Sequence, residues 1–217
     1  MLEILYQDQA LVVCVKPFRV LSPEEPGGMP ALIRRAMGRP QAKVRTVHRL
    51  DQVVGGLMVY GLTGHAASEL SRQIREDQFQ KEYQAVVHWR PQYDAGTYID
   101  LLGRNEKTRK TYVAKVPGKG IQLSVLHCRL LDNRQGFSLV EIRLETGRTH
   151  QIRAQFSARG MPLAGDRKYS KYPDPPSWQI ALWSSHLAFT HPETGEAMDF
   201  RLSPPATEPW TLFQNTL

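Results

Sequence analysis

The chain is poor in the residues that would tie it to metal, redox or membrane chemistry. Among its 217 residues there are two cysteines, Cys14 and Cys128. Each sits in an apolar, strand-like stretch, LVVCV and SVLHCRL, where a small buried thiol fits better than a disulfide or redox pair. There is no CxxC, and none of the seven histidines pairs with another at the i, i+4 spacing of a helical zinc site. No metal is expected on this pattern. No apolar run approaches the ~18 residues of a membrane span. LVVCV, near the N-terminus, is not preceded by a basic segment, which argues against a signal peptide. No membrane partner is expected, and a cytoplasmic location is. The phosphate-cradling patterns GxGxxG and GxxxxGK[ST] are also missing, so no nucleotide cofactor is implied.

Acidic residues are the scarcer charge. Asp and Glu number 21 against 28 Lys and Arg, an excess of seven positive charges with a pI near 9.5. A basic chain of this kind is a candidate for binding a polyanion. Two segments concentrate the cations among hydroxyls and aromatics: RNEKTRK, Arg104 to Lys110, and DRKYSKY, Asp166 to Tyr172. Cations can neutralise phosphates and tyrosines can stack on unpaired bases. Solvated loops would look the same.

The patterning predicts a strand-rich α+β fold with a mixed, mostly antiparallel sheet flanked by a few helices. ILYQDQALVVCVKP reads as two strands around a turn at Gln7–Gln9. ALIRRAMG reads as a short helix closed by Gly38. GLMVYGL is a continuous apolar strand, after which Thr63 caps a helix whose apolar face is Ala67, Leu70 and Ile74. EYQAVVHW, GTYIDLLG, KTYVAKV, LSVLHCRLL and FSLVEIRLE follow as strands, with DNRQG as a hairpin turn before the last. RTHQIRAQFSARG has helical spacing, with Ile152 and Phe156 on one face and Gly160 at its end. IALWSSHLAF and EAMDFRLS flank HPETG as a final hairpin. Length and the lack of a linker suggest one domain over 1–217, and the absence of a coiled-coil pattern suggests a monomer.

Three charged or aromatic stretches stand out. VHRLDQVVGG puts His48, Arg49 and Asp51 within four residues and follows them with two glycines. KEY places Lys81 beside Tyr83. TGRTHQIR gathers Arg148, His150 and Arg153 where a turn leads into a helix, a place suited to an anionic group. Taken singly, each reads as ordinary surface or structure. Jointly they resemble the RluA-type family of RNA pseudouridine synthases. That family's HRLD-x-x-T-S-G-L motif is matched by His48-Arg49-Leu50-Asp51 and by Gly56-Leu57, and its K-x-Y-x-A motif by Lys81, Tyr83 and Ala85. T-G-R-T-H-Q-[IL]-R is complete at Thr146 to Arg153. PLAGDRKY and LAFTHPETGE are similar to its later P-L-x-G-D-x-x-Y and L-x-F-x-H-P-x-T-G segments. Two departures are visible. Val54-Gly55 replaces Thr-Ser, removing two hydroxyls that could brace the loop, and the early N-K-P-x-G element survives only in part around Lys16-Pro17.

The resemblance implies the pseudouridine synthase fold and an isomerase without cofactor. The reaction breaks the C1′–N1 bond of a uridine, rotates the uracil and joins its C5 to C1′. It involves no redox change, and one carboxylate suffices as nucleophile or base. By resemblance that carboxylate is Asp51, its cationic partner is Arg153, and Tyr83 stacks on the uracil and can relay a proton. The target base must be flipped out of folded ribosomal or transfer RNA. Arg49 then fills the gap or holds a phosphate, with His48, Lys81, Arg148 and His150 as further RNA contacts. Many members carry a separate RNA-binding domain ahead of the catalytic one. With HRLD starting at residue 48, none is expected here. Two rivals share these residues: an idle RNA-binding module or chaperone on the same fold, and a nucleoside hydrolase that would release free uracil.

Overall fold

A computed structural model describes all 217 residues. The chain forms two compact units, Met1–Lys81 with Trp183–Ser203, and Glu82–Leu182 with Pro204–Leu217.

In the first unit, β1 (Ile4–Gln7) and β2 (Leu11–Lys16) form an antiparallel hairpin whose second strand pairs with β4 (Gly55–Gly61). All seven residues of β4 are buried. That explains why GGLMVYG is an unbroken apolar run rather than an alternating one. The short β3 (Arg45–Thr46) also pairs with β4. β4 runs parallel to β10 (Leu182–Thr190), and β10 pairs antiparallel with β11 (Ala197–Arg201). Helix α1 (Met29–Ala36) begins with Pro30 in its first turn and is followed by Gly38 at φ 65. Helix α2 (Gly64–Arg75) starts where Thr63 Oγ1 accepts the Ala66 N–H at 3.0 Å. Leu11, Val13, Leu57, Val59, Leu70, Phe79, Leu187 and Phe189 make one core, with the Phe79 and Phe189 rings stacked at 5.1 Å.

The second unit is an antiparallel sheet in the order β5 (Gln80–His88), β9 (Phe137–Leu144), β8 (Gln122–Arg134), β6 (Ala95–Asn105), β7 (Lys110–Ala114). Helix α3 (Gln151–Ala158) belongs to it and buries Ile152 and Phe156 as its spacing predicts. Both cysteines are buried free thiols, and burial pushes Cys14 up to about 12.

The elements therefore follow the expected α+β order, with three local differences. β8 continues through Asp132–Arg134, and the turn narrows to Gln135-Gly136, at φ 52 and 81. Two left-handed residues match the twist of a hairpin. The inward face of α2 uses Ala66, Leu70 and Gln73. Gln73 is buried because its amide bonds both the N–H and the C=O of Thr190, at 2.9 Å each. Helix α3 starts at Gln151, so Arg148 to His150 precede it as a turn.

Candidate active site

Asp51 sits in a tight turn closed by the Val54 N–H donating to the Asp51 carbonyl at 2.9 Å. Three contacts fix this turn from beneath. The ammonium of Lys16, a fully buried lysine, donates to the carbonyls of Pro17, Gln52 and Val54 at 2.9, 3.1 and 2.6 Å. Ser22 Oγ donates to the Leu50 carbonyl at 2.9 Å and accepts the Leu50 N–H at 3.1 Å. Gln52 Nε2 donates to the Arg19 carbonyl at 3.2 Å. Burial lowers the Lys16 ammonium to about 8, while the Asp51 charge pulls it the other way. A buried cation that satisfies three carbonyls costs desolvation and makes sense as a rigidifying post.

The two glycines that follow the turn have a steric cause. A Cβ at Gly55 would lie 2.6 Å from the Trp183 ring, and one at Gly56 would lie 2.4 Å from the Ser184 carbonyl oxygen. Gly56 also has φ 117, a conformation other residues rarely adopt. The parallel pairing of Trp183 with Gly55 and Ser184 with Gly56 therefore demands glycine at both positions. This locks the exit of the Asp51 turn into the sheet.

His48 is turned inward. Its Nε2 accepts the Val59 N–H at 3.2 Å, and its ring lies 5.8 Å from that of Phe79. Burial, reinforced by the Lys81 charge, pushes it down to about 3, so the ring is neutral. The Lys81 ammonium lies 5.9 Å from the Phe79 centroid, and burial lowers its affinity for a proton. Arg49 is exposed.

In the second unit, Tyr83 is a buried residue of β5, 6% exposed. The TGRTHQ turn is tied down by its own polar side chains. Thr146 Oγ1 accepts the Val125 N–H at 2.9 Å and meets Gln151 Oε1 at 2.9 Å. Gln151 in turn accepts the Arg148 N–H at 3.0 Å and donates to the Val125 carbonyl at 3.1 Å. Arg148 is left on the surface, its Nε on the Leu123 carbonyl at 3.2 Å. Arg153 points the other way and is buried. Its Nε and Nη2 donate to the two oxygens of Asp166 at 2.8 and 2.7 Å, a forked pair with both side chains almost fully enclosed.

A family model described as RNA pseudouridylate synthase matches residues 11–158. The chain belongs to the RNA pseudouridine synthase family. It is 35% identical over 206 residues to the dual-specificity RNA pseudouridine synthase RluA of Haemophilus influenzae, covering 92% of this chain and 91% of that protein. It is 34% identical over 208 residues to the uncharacterized RNA pseudouridine synthase YlyB of Bacillus subtilis, covering 92% and 68%. The fold is that of human RNA pseudouridylate synthase domain containing 1, with a TM-score of 0.81 at 22% identity over 95% of this chain and 85% of that one. The protein is thus an RNA-modifying isomerase. None of its helices is long and apolar enough to cross a membrane.

Against this family frame, the motif residues of the synthase divide by environment. Arg49 and Arg148 are exposed cations. His48 is half-buried and tied to β4: its ring takes the Val59 N–H and packs on Phe79. The late LAFTHPETGE segment is likewise tied down. His191 Nε2 meets Asp8 Oδ2 at 2.8 Å, and its Nδ1 accepts the N–H groups of Glu193 and Thr194 at 3.2 and 3.1 Å. Lys16, Ser22 and Asp166 were missed as working residues. For Lys16 the signal was a lone lysine closing an apolar strand, VVCVK. For Asp166 it was the acid that opens the basic run DRKYSKY.

Proposed function

We propose that the synthase isomerises uridine in ribosomal or transfer RNA with Asp51 as the catalytic carboxylate, Tyr83 as the aromatic partner of the uracil and Arg153 as the cation that supports Asp51. The observation that carries this reading is the anchoring of the Asp51 turn. A surface turn with no chemical task has no need of a buried lysine on three carbonyls, a serine bonded both ways to Leu50 and two sterically enforced glycines. Such over-determination is what a reacting group needs, because a misplacement of about 1 Å can cost ~10²-fold in rate.

In this reading the ionised Asp51 attacks the sugar at C1′ or removes a sugar proton as the glycosidic bond breaks. The freed uracil turns and bonds through C5 to C1′, which releases the Asp51 carboxylate from C1′ or returns to the sugar the proton Asp51 had taken; the C5 proton then leaves and N1 gains one, so the product is an isomer of the substrate. Tyr83 supplies a ring against which the base turns and a hydroxyl that can move a proton. The bidentate hold of Asp166 on Nε and Nη2 fixes the plane of the Arg153 guanidinium, which has five N–H donors in all. Arg49 occupies the space of the flipped base or a phosphate beside it, and Lys81, Arg148 and His150 supply further contacts to RNA. The dual-specificity name of the Haemophilus relative supports more than one RNA target.

The test is direct. Purified synthase is incubated with ribosomal and transfer RNA from a strain lacking the gene, and uridines that become carbodiimide-reactive without a change of mass are mapped. Wild type should modify a small set of positions, and Asp51→Asn none, with RNA affinity held within a few-fold. Turnover by Asp51→Asn above ~1% of wild type refutes the assignment of Asp51. Release of free uracil would instead indicate a hydrolase, and binding with no change in the RNA an idle module.

A further inference from the structure

Tyr169 touches two of the groups just given roles, through two different parts of its side chain. Its phenol oxygen accepts the backbone N–H of Thr111 at 2.7 Å and lies 2.8 Å from His150 Nδ1. The Thr111 amide occupies one lone pair of the phenol and leaves the phenol its own proton to give. Directed at the ring, that proton makes Nδ1 the acceptor and places the ring proton of a neutral His150 on Nε2. The His150 backbone is held in a matching orientation. It has φ 55, uncommon for a non-glycine residue, and Thr111 Oγ1 donates to the preceding carbonyl, that of Thr149, at 2.8 Å.

The ring of Tyr169 has a separate contact. The Arg153 guanidinium carbon stands 5.0 Å from its centroid, within the range of a cation–π contact. The same carboxylate that grips Arg153 also fixes the tyrosine, since Asp166 Oδ1 accepts the N–H groups of Lys168 and Tyr169 at 3.0 and 3.2 Å. The Tyr169 carbonyl is taken by Ser157 Oγ of α3 at 3.0 Å. Tyr169 is therefore tied to β7, to α3 and to its own loop, and the side chains of His150 and Arg153 are both set against it.

We propose that Tyr169 is a positioning residue of the synthase: its hydroxyl locks His150 in the Nε2–H tautomer, so that Nε2 donates to an oxygen of the substrate RNA, and its ring backs Arg153. This rests on the reading of Arg153 and His150 as active-site groups. The hydroxyl serves RNA binding and the ring serves turnover, so different substitutions separate them.

The experiment compares Tyr169→Phe, Tyr169→Leu, His150→Gln and the double variant Tyr169→Phe/His150→Gln in the full chain. Steady-state kinetics are measured on one RNA, with ¹⁵N-histidine NMR and thermal melts. In wild type, His150 Nδ1 should resonate as an unprotonated nitrogen, and in Tyr169→Phe that fixed signature should be lost. Tyr169→Phe should raise KM about fivefold with kcat within twofold. Tyr169→Leu should lower kcat about tenfold more. Glutamine carries an N–H donor near the place of Nε2 and needs no proton from Tyr169. His150→Gln should raise KM on its own, as a change to an RNA contact, and adding Tyr169→Phe to it should cost nothing further. An unchanged His150 spectrum in Tyr169→Phe, or full multiplication of the KM effects in the double variant, overturns the proposal. Arg153→Ala separates the two levels of inference. If it is inactive while both Tyr169 variants match wild type, the positioning role alone fails. If Arg153→Ala and His150→Ala are both fully active, the active-site reading fails, and the NMR signature still judges the tautomer lock.

Discussion

Replacing Lys16 with methionine removes a charge and three donors while keeping most of the side chain's volume. The carbonyls of Pro17, Gln52 and Val54 lose their partner. Hydrogen bonds to a charged group contribute about 1.5–3 kcal/mol each, and the lower end applies where one ammonium is shared three ways. Against that loss stands the burial cost of the ammonium, which disappears with it. A lysine moved from 10.5 to about 8 carries a penalty of about 3 kcal/mol. The net destabilisation is about 1–2 kcal/mol, a fall in Tm of about 2–8 °C for a chain of this size. Activity should suffer more than stability, because the turn that loses its post carries Asp51. We expect kcat to drop about tenfold with RNA affinity nearly unchanged. The pH dependence gives a second, opposed signature. Because the folded value lies below the unfolded one, the charged Lys16 weakens the fold at every pH below about 8, and that cost is relieved as pH rises from about 8 toward 10.5. Turnover should move the other way. Above about pH 8 the neutral amine has two N–H groups for three carbonyls, and the turn loosens. Stopped single-turnover rates and urea unfolding, both from pH 7 to 10, check this. Wild type should lose rate without losing stability to this group, and Lys16→Met should lack the alkaline limb. A methionine variant with wild-type kcat, or one whose alkaline limb persists, would refute the reasoning.

Other expectations follow from single contacts. Gly56→Ala should express poorly or lose several °C in Tm and most activity, because its Cβ meets the Ser184 backbone at 2.4 Å, and differential scanning calorimetry will read it. His48 sits at about 3 against an unfolded value near 6.5, so stability is lost as pH falls below 6.5, at up to about 1.4 kcal/mol per pH unit. His48→Gln should flatten that slope between pH 6.5 and 5 in chemical denaturation. Asp166→Ala leaves the Arg153 guanidinium enclosed without its forked partner and should cost about 3–5 kcal/mol, while the double change with Arg153→Met should recover part of it. An additive cycle would count against the pair. Tyr83→Phe should bind RNA as wild type does but turn over ~10²-fold more slowly if the hydroxyl moves a proton. Tyr83→Ala should lose affinity as well, by the ~1–3 kcal/mol of a stacked base, and titration with labelled RNA separates the two.

How much of this was legible beforehand depends on which forces are local. The strand of GLMVYGL could be read because burial on both faces leaves an unbroken apolar run. The cap at Thr63 and the stop at Gly160 could be read because they are satisfied within a few residues. The start of α3 could not. Helical spacing runs back through TGRTH, but Thr146 and Gln151 divert that segment's polar groups onto Val125, which is distant in sequence. Gln73 was unreadable for the same reason, since its partner is the backbone of Thr190. In the site, motif spacing identified the segments but not the direction of each side chain. His48 and Arg49 are neighbours, yet one ring is enclosed against β4 and the other residue is exposed.

That difference bears on the place where the chain departs from its family's pattern. Val54-Gly55 lacks the two hydroxyls of the usual Thr-Ser pair. At position 54 the side chain is buried, 2% exposed, and it is the carbonyl that takes the Lys16 ammonium. At position 55 any Cβ would collide with the Trp183 ring, so a serine there would require that ring to move. The large indole and the glycine are two halves of one packing solution. The turn is braced by Lys16 from β2 and by Ser22 from the loop before α1, both outside the HRLD segment. A turn held through its carbonyls tolerates change in its side chains, since every residue type offers the same C=O to the ammonium. On that argument, positions 53 and 54 should accept apolar substitution more readily than Lys16 accepts any.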